Sequence, residues 1–458
     1  MKTIPYFFSV FVHNNSGDFM INSIWNTSTD LPRFEPLRRN LKTDVLIIGG
    51  GLTGVLIASK LKELGVQYAL VEANTICSGV TLNTTAKITS QHSLIYSKIN
   101  NNFGPEFAEM YYNSNEQALK EYKNICKNID CDFLEKDAFV YSLNRSDKIN
   151  EECEILNKIK ADFEFTNKLD DLPFTVAGAI KFKNQAQFNP LKFVKGIVDG
   201  LNIYENTKVY SFDGEGYVIN GGKITANKTI VATHFPIFNK FGFYPLKLYQ
   251  DRSYVLALQN AKKVDGMYID ENPTGLSFRM YDDLLLLGGG AHRTGKEGGN
   301  WKELNKFKNR FYPSSKEVTR WAAQDCMSLD SVPYIGQYSK KAPDIFVATG
   351  YNKWGMTSSM VAANLLCDLV MGNDNQYSDL YSPSRKILRP QLFTNIVEST
   401  VNLLNFKTPR CPHLGCALKW NNAEKSWDCP CHGSRFLENG ELLDNPATDG
   451  IKIKHRNQ

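Results

Sequence analysis

The chain has 458 residues, 42% of them hydrophobic and 22% charged, and a formal net charge of +5. That length suits two or three domains with sizeable cores. The small net charge gives no reason to invoke nucleic acid or a membrane surface, and no apolar run reaches the length of a transmembrane helix.

At the N-terminus, Lys2 followed by Tyr6–Val12 faintly resembles a secretion signal, but the run is short and His13-Asn14-Asn15 offers no small-residue cleavage site. The expectation is a disordered or mis-assigned leader, with Met20 the alternative start, and residues 21–43 an irregular arm around Trp25, Pro32, Phe34 and Pro36. The apolar run Val45–Ile48 then reads as a buried parallel strand. It leads into Gly49-Gly50-Gly51-Leu52-Thr53-Gly54, after which Val55, Ile57, Ala58 and Leu61 have helical spacing. Gly49 permits the tight turn, Gly51 lets backbone approach a pyrophosphate, and Gly54 lets the helix pack close to the strand. The next strand, Tyr68–Val71, ends in Glu72, an acceptor for ribose hydroxyls. Strand, glycine triplet, helix, strand and terminal acid in this order point to dinucleotide binding.

The segment Ser78–Lys87 is small and hydroxyl-rich, and Thr84, Thr85 and Ala86 can run close beside a ligand. Residues 105–127 read as an amphipathic surface helix. Strand, helix and strand follow over 137–195, then Lys208-Val209-Tyr210-Ser211 and a tight turn at Asn220-Gly221-Gly222. The strand 228–233 ends in Ala232 and Thr233, which suggests a return to the first sheet. Gly288-Gly289-Gly290 precedes no helix and reads as a turn. Residues 246–330 look like antiparallel strands of a second domain, with Arg252, Arg279 and Tyr281 as candidate substrate contacts, because an arginine facing a cleft can hold a carboxylate bidentately. Finally Ile345–Gly350 is a strand entering a glycine loop, and Gly355-Met356-Thr357 opens an apolar helix whose positive N-terminus suits a flavin.

Residues 21–371 resemble the FAD-dependent oxidoreductases of the D-amino-acid oxidase and glycine oxidase class. The resemblance rests on Gly49–Gly54 with Glu72, Ser78–Lys87, the Ala232-Thr233 strand end, and Gly350 with Gly355-Met356-Thr357. It implies an α/β fold, a Rossmann-like FAD-binding domain with an interleaved antiparallel substrate domain. It also implies FAD held by Gly49, Gly51, Leu52, Thr53, Gly54, Glu72, Thr84, Thr85, Ala86, Val209, Ala232, Thr233, Gly350, Gly355, Met356 and Thr357. Asp330-Ser331-Val332-Pro333 departs slightly from the class's aspartate-glycine-x-proline. An amine or amino-acid-like substrate follows from the class alone.

Of ten cysteines, Cys77, Cys126, Cys131, Cys153, Cys326 and Cys367 are scattered, as free thiols of a cytosolic protein would be. The others crowd into Cys411-Pro412-His413-Leu414-Gly415-Cys416 and Cys429-Pro430-Cys431-His432-Gly433-Ser434. Two thiolates and two imidazoles on two loops could form a zinc site. Zinc, however, leaves Gly415, the Pro430-Cys431 insertion and Gly433-Ser434 unexplained, and the motif closely resembles the Rieske [2Fe–2S] proteins. That resemblance implies Cys411 and Cys429 on one iron, His413 and His432 on the other, and a Cys416–Cys431 disulfide. The module is a small all-β one and truncated, since Tyr381–Arg410 must supply linker and strands together before its first loop, and Val397–Leu404 reads partly as helix.

The expected organisation is a leader and arm (1–42), an oxidoreductase domain (43–380, with substrate strands near 137–195 and 246–330), a linker (381–404) and a Rieske module (405–458). The expected function is oxidation of a small amine-like molecule in the cytoplasm, with electrons leaving through the cluster to an external one-electron carrier and no integral membrane segment. The alternative is an electron-transfer or redox-sensing protein without a tuned substrate site.

Overall fold

A computed structural model describes residues 22–144, 147–238, 242–386, 388–405 and 408–453. The signal-like run and Met20 lie outside the described residues. The arm begins with a short 3-10 helix, Ile24–Thr27, that buries Trp25 completely.

Two large sheets share the first 350 residues. The first has eight strands in the order Tyr334–Ser339, Ala342–Thr349, Gly222–Val231, Leu41–Ile48, Tyr68–Val71 and Ile203–Tyr204, with a hairpin (Val209–Phe212 and Tyr217–Ile219) on Gly222–Val231. Leu41–Ile48 lies at its centre, parallel to both neighbours. Val45–Ile48 are all buried, as an uninterrupted apolar run in a parallel sheet requires. The helices Leu52–Glu63 and Gly355–Met371 pack on each other over it. The apolar run of the second helix is explained by burial nearly all round.

The second sheet has nine strands. At one end lie Lys316–Ser328, Leu248–Gln259 and Leu284–Arg293, and at the other Leu134–Ser142, Gly178–Gln187 and Lys87–Ile88. Its strands come from 87–88, 134–187 and 248–328, so the chain crosses between sheets repeatedly. Gly288-Gly289-Gly290 is not a turn but the middle of the strand Leu284–Arg293. The glycines answer close packing: a Cβ at Gly288 would stand 2.5 Å from Ser277 Oγ, and one at Gly290 2.4 Å from the Asn300 carbonyl oxygen. The register also shifts here, between Arg252 and Tyr254 on the neighbouring strand.

The C-terminal module is a four-stranded antiparallel sheet, each strand three residues long. The stretch read as a linker is mostly a helix, Pro390–Leu403. This helix and the second sheet replace the strands missing before the first loop. Asn395 donates to the Leu246 carbonyl (3.1 Å) and accepts from Arg293 Nη1 (2.9 Å), while the Asn402 carbonyl accepts from Ala417 N (2.9 Å). Among the described residues no helix is long and apolar enough to cross a membrane.

Candidate functional site

A cavity of about 870 Å³ opens where the carboxyl ends of the central parallel strands meet the second sheet. That is where an α/β sheet places its ligand. Gly49, Gly51, Leu52, Thr53, Glu72, Thr84, Thr85, Val209, Ala232, Thr233, Gly350, Gly355 and Met356 line it. Gly54, Ala86 and Thr357 do not line it. A Cβ at Gly54 would stand 2.0 Å from the Gly49 carbonyl oxygen, so Gly54 lets the helix touch the turn. Ala86 O accepts from Arg279 Nη1 (2.8 Å), and Thr357 Oγ1 donates to Thr89 O (3.1 Å). Gly49 has φ +110, and a Cβ there would meet the Ala232 carbonyl oxygen at 2.6 Å. At Gly51 the nearest atom to a Cβ is Thr81 Oγ1 at 3.5 Å, so the space beside it is open. Glu72 accepts from Gly50 N (2.7 Å) and Asn74 N (2.9 Å), which fixes the acid beside the glycine loop.

Six non-glycine residues on the wall have left-handed backbone: Cys77, Ser93, His234, Ser331, Asn352 and Lys353. Such conformations cost roughly 1–3 kcal/mol each and gather where a ligand dictates shape.

None of the three predicted substrate contacts lines the cavity. Arg252 is buried in an ion pair with Glu424 of the C-terminal module. Arg279 is fully buried behind the wall, where Nη1 clamps the carbonyls of Thr85 (2.5 Å) and Ala86 (2.8 Å). Tyr281 donates to Asp132 (2.8 Å) and packs edge-on against Trp25. Among the residues that do face the cavity from the second sheet are Tyr249, Asp251 and Ser253 on one strand and Ala323, Asp325 and Met327 on its neighbour. Asp251 and Asp325 are directly opposed. Burial pushes the Asp325 carboxyl up to about 6, and Lys353 Nζ lies 3.8 Å from Asp251. Lys87 also lines the wall, and burial, with Arg279 nearby, brings it down to about 7. The period-two alternation of these strands could have pointed to Asp251 and Asp325; it selects Asp251 over its neighbour Arg252.

The cysteine–histidine loops sit at the top of the small module. Cys411 and Cys429 are buried, and the His413 and His432 rings are 4.9 Å apart. Each loop closes on itself, with Gly415 N donating to Cys411 O and Gly433 N to Cys429 O (both 2.9 Å). Hydrogen bonds from Cys429, then Ser434, and backbone amides bring the Cys411 thiol down to about 7, and Cys429 is correspondingly raised. Burial lowers His413 to about 4 and His432 to about 3, so both rings are neutral, as metal ligands must be. His432 Nδ1 is buried with no hydrogen-bond partner among the described residues. Two free thiols and an orphaned imidazole nitrogen fit an iron–sulfur group. The sulfurs of Cys416, Cys429 and Cys431 also lie within 4.8 Å of one another. Cys416 and Cys431, however, are joined as a disulfide and have no thiolate to offer.

The module packs directly on the oxidoreductase domain and forms part of the cavity wall. Leu442–Asn445 and Ala447–Gly450 line it. Asn445 Nδ2 donates to the carbonyls of Thr233 (2.5 Å) and Phe235 (3.1 Å). The Phe235 ring stands edge-on to both histidines, at 6.1 and 6.2 Å between centroids. Arg435 pairs with Asp428 (3.0 Å), Glu424 (2.9 Å) and Asp444 (3.1 Å), and Arg252 shares Glu424 from the other domain. Sequence reading missed the link between the domains because Arg252 and Glu424 are 172 residues apart.

Residues 44–369 match the family described as DAO, FAD dependent oxidoreductase, and residues 404–454 match the Rieske [2Fe-2S] domain. The chain is 35% identical to the Putative Rieske 2Fe-2S iron-sulfur protein YhfW of Bacillus subtilis (strain 168), over 93% of this chain and 96% of that one. A stretch of 47 residues is 45% identical to the cytochrome b6-f complex iron-sulfur subunit of Nostoc punctiforme, covering 26% of that protein. In fold the chain is similar to glycine oxidase from Geobacillus kaustophilus (TM-score 0.64, 18% identity, 76% of this chain and 100% of that one). It is similar too to L-proline dehydrogenase from P. horikoshii (TM-score 0.63, 16% identity, 76% and 98%). The α/β sheet, the second sheet and the small β module are thus those of these two families, although the second sheet is mixed rather than wholly antiparallel, since Met267–Asp270 runs parallel to Leu134–Ser142; the cofactors are FAD and a [2Fe-2S] cluster. The chain belongs to the DAO family of FAD dependent oxidoreductases and carries a C-terminal Rieske [2Fe-2S] domain.

Proposed function

We propose that this oxidoreductase takes two electrons from an amine or amino-acid-like substrate and passes them, one at a time, through its cluster to an external one-electron carrier. The observation that carries this reading is the shared wall: residues from 442 to 450 of the Rieske module line the cavity that also holds the glycine loop. A module serving only a distant partner has no need to form that wall.

FAD supplies two-electron acceptance when bound, and the cluster accepts electrons singly. Gly49, Gly51 and the N-terminus of Leu52–Glu63 would hold the pyrophosphate, Glu72 the ribose, and Gly350, Gly355 and Met356 the ring system. Cys411, His413, Cys429 and His432 would hold the irons. Asp325 takes the proton of an incoming ammonium group, because a carboxyl near 6 is largely ionised at neutral pH yet more basic than a free one, and it sits on the cavity wall. Asp251 and Lys353 position the remainder of the substrate. The six unpaired cysteines outside the cluster module favour a cytoplasmic setting.

The test is anaerobic addition of a panel of amines and amino acids to purified protein, following flavin bleaching and the EPR signal of the reduced cluster. Bleaching followed by the signal is expected for at least one amine. A cluster that accepts electrons from a photoreduced flavin while no amine bleaches the flavin would instead mark an electron-transfer or sensing protein.

A further inference from the structure

Gln250 is buried in the strand Leu248–Gln259, between the cavity and the cluster loops. Its Nε2 donates to the carbonyls of His432 (2.9 Å) and Asn445 (3.1 Å). Both partners are pure acceptors, so the amide can point only one way. That leaves Oε1 toward His234, whose Nε2 stands 3.1 Å away and must carry the proton. His234 lines the cavity with left-handed backbone (φ +65), and its carbonyl accepts from Thr349 Oγ1, also on the wall, at 2.5 Å. One amide therefore bridges a cavity residue and a cluster ligand.

Two glycines make the approach possible. Gly433 follows His432 with φ +87, and a Cβ there would stand 2.6 Å from Gln250 Cβ. Gly295 has φ +75, and a Cβ there would meet Pro430 N at 2.7 Å. Each has a conformation and a clearance that a side chain would spoil. A neighbouring contact, Gln324 Nε2 to Gly433 O (2.8 Å), docks the same loop without reaching His234.

We propose that Gln250 is the positioning residue for electron transfer between flavin and cluster: the path His432–Gln250–His234 joins a cluster ligand to the cavity wall through covalent and hydrogen bonds alone. Tunnelling decays less along such bonds than across van der Waals gaps. The inference rests on the proposed function, in which electrons leave the flavin through the cluster. Each step moves one electron from reduced flavin to the oxidised cluster. The cluster then reduces one external one-electron acceptor before the second electron follows, and the protons of the reduced flavin go to solvent.

Pulse radiolysis of the full chain, loaded with FAD and iron, tests it. A single radiolytic electron is delivered and its redistribution between flavin and cluster is followed by absorbance. In the unsubstituted protein the transfer should be independent of protein concentration. Gln250→Met keeps the side-chain length and removes both the donor and the acceptor; it should slow the transfer about tenfold or more at unchanged flavin and iron content, whereas Gln324→Met should stay within about threefold. If Gln250→Met fails to retain cofactors, Gln250→Glu, which keeps an acceptor for His234 but no donor for His432, should show the same slowing. An unchanged rate in a loaded Gln250 variant, or equal slowing in the Gln324 variant, would overturn the inference and leave the proposed function standing. Absence of any concentration-independent transfer in the unsubstituted protein would overturn the proposed function, and the inference with it.

Discussion

Gly51 and Gly54 both belong to the glycine triplet, but their surroundings assign them opposite roles, and alanine at each separates ligand binding from folding. Gly51 has φ −72 and ψ −178, a conformation open to any L-residue, and a Cβ there would find its nearest neighbour at 3.5 Å. Gly51→Ala should leave the flavin-free protein as stable as before, or more stable by roughly 0.4–1 kcal/mol through loss of unfolded-state freedom. The methyl would instead occupy space needed by the pyrophosphate. Loss of one charge-assisted backbone hydrogen bond, about 1.5–3 kcal/mol, corresponds to roughly 10- to 150-fold weaker FAD binding. At Gly54 a Cβ would lie 2.0 Å from the Gly49 carbonyl oxygen, so helix and turn must separate. Gly54→Ala should destabilise the flavin-free fold by about 1–3 kcal/mol, as overpacking does. Urea unfolding of apoprotein and fluorescence titration with FAD measure both halves. Full FAD affinity in Gly51→Ala, or an unperturbed apo fold in Gly54→Ala, would refute the assignment.

If Asp325 takes the substrate proton, kcat/KM should rise with pH through about 6, and Asp325→Asn should flatten that limb in a pH profile. At the domain contact, burial alone would raise the Glu424 carboxyl, but Arg252 and then Arg435 outweigh it and hold it at about 2. A depressed carboxylate stabilises the fold fully above its unfolded value of about 4.3 and loses that contribution as pH falls toward the folded value. Stability measured by urea midpoint should therefore drop between about pH 5 and pH 2, and Glu424→Gln should remove much of that drop; an identical profile in the variant would contradict it. Ser434 bonds the Cys411 sulfur and accepts from Ala447 N (2.9 Å), while Phe436 is buried beside the ligands without a hydroxyl. Voltammetry should show the cluster potential falling in Ser434→Ala and rising in Phe436→Tyr, because donors near the sulfurs favour the reduced cluster.

What was legible in the sequence was local. Gly49–Gly54 and the two cysteine–histidine loops declare their chemistry within six residues each, because turn geometry and ligand spacing are short-range properties. The arginines were misread for the opposite reason. Arg252 finds Glu424 and Arg279 finds the Thr85 and Ala86 carbonyls only after two sheets and a module have assembled. Trp25 sits in an arm without periodic pattern, yet its Nε1 holds the Thr84 carbonyl at 2.7 Å, a contact set by tertiary packing. The glycine run at 288–290 looked like a turn because glycine needed for close strand approach and glycine needed for a turn are the same letter. Only the end of the helix Pro390–Leu403 was legible, because its buried positions are Leu392, Asn395 and Asn402 while Phe393, Val397 and Val401 face solvent, so apolar spacing does not mark its buried face.

The central claim is that the cluster empties the flavin, and Cys411→Ser tests it most directly. The variant should lack the cluster and keep FAD, since the thiol lies in the small module and the glycine loop in the other domain. Stopped-flow reduction by an amine that bleaches the flavin should proceed at a near-normal rate. Steady-state turnover with a one-electron acceptor should fall about tenfold or more, equivalent to about 1.4 kcal/mol of added barrier. Unchanged turnover in the cluster-free variant would show that the flavin meets its acceptor directly and would contradict the account.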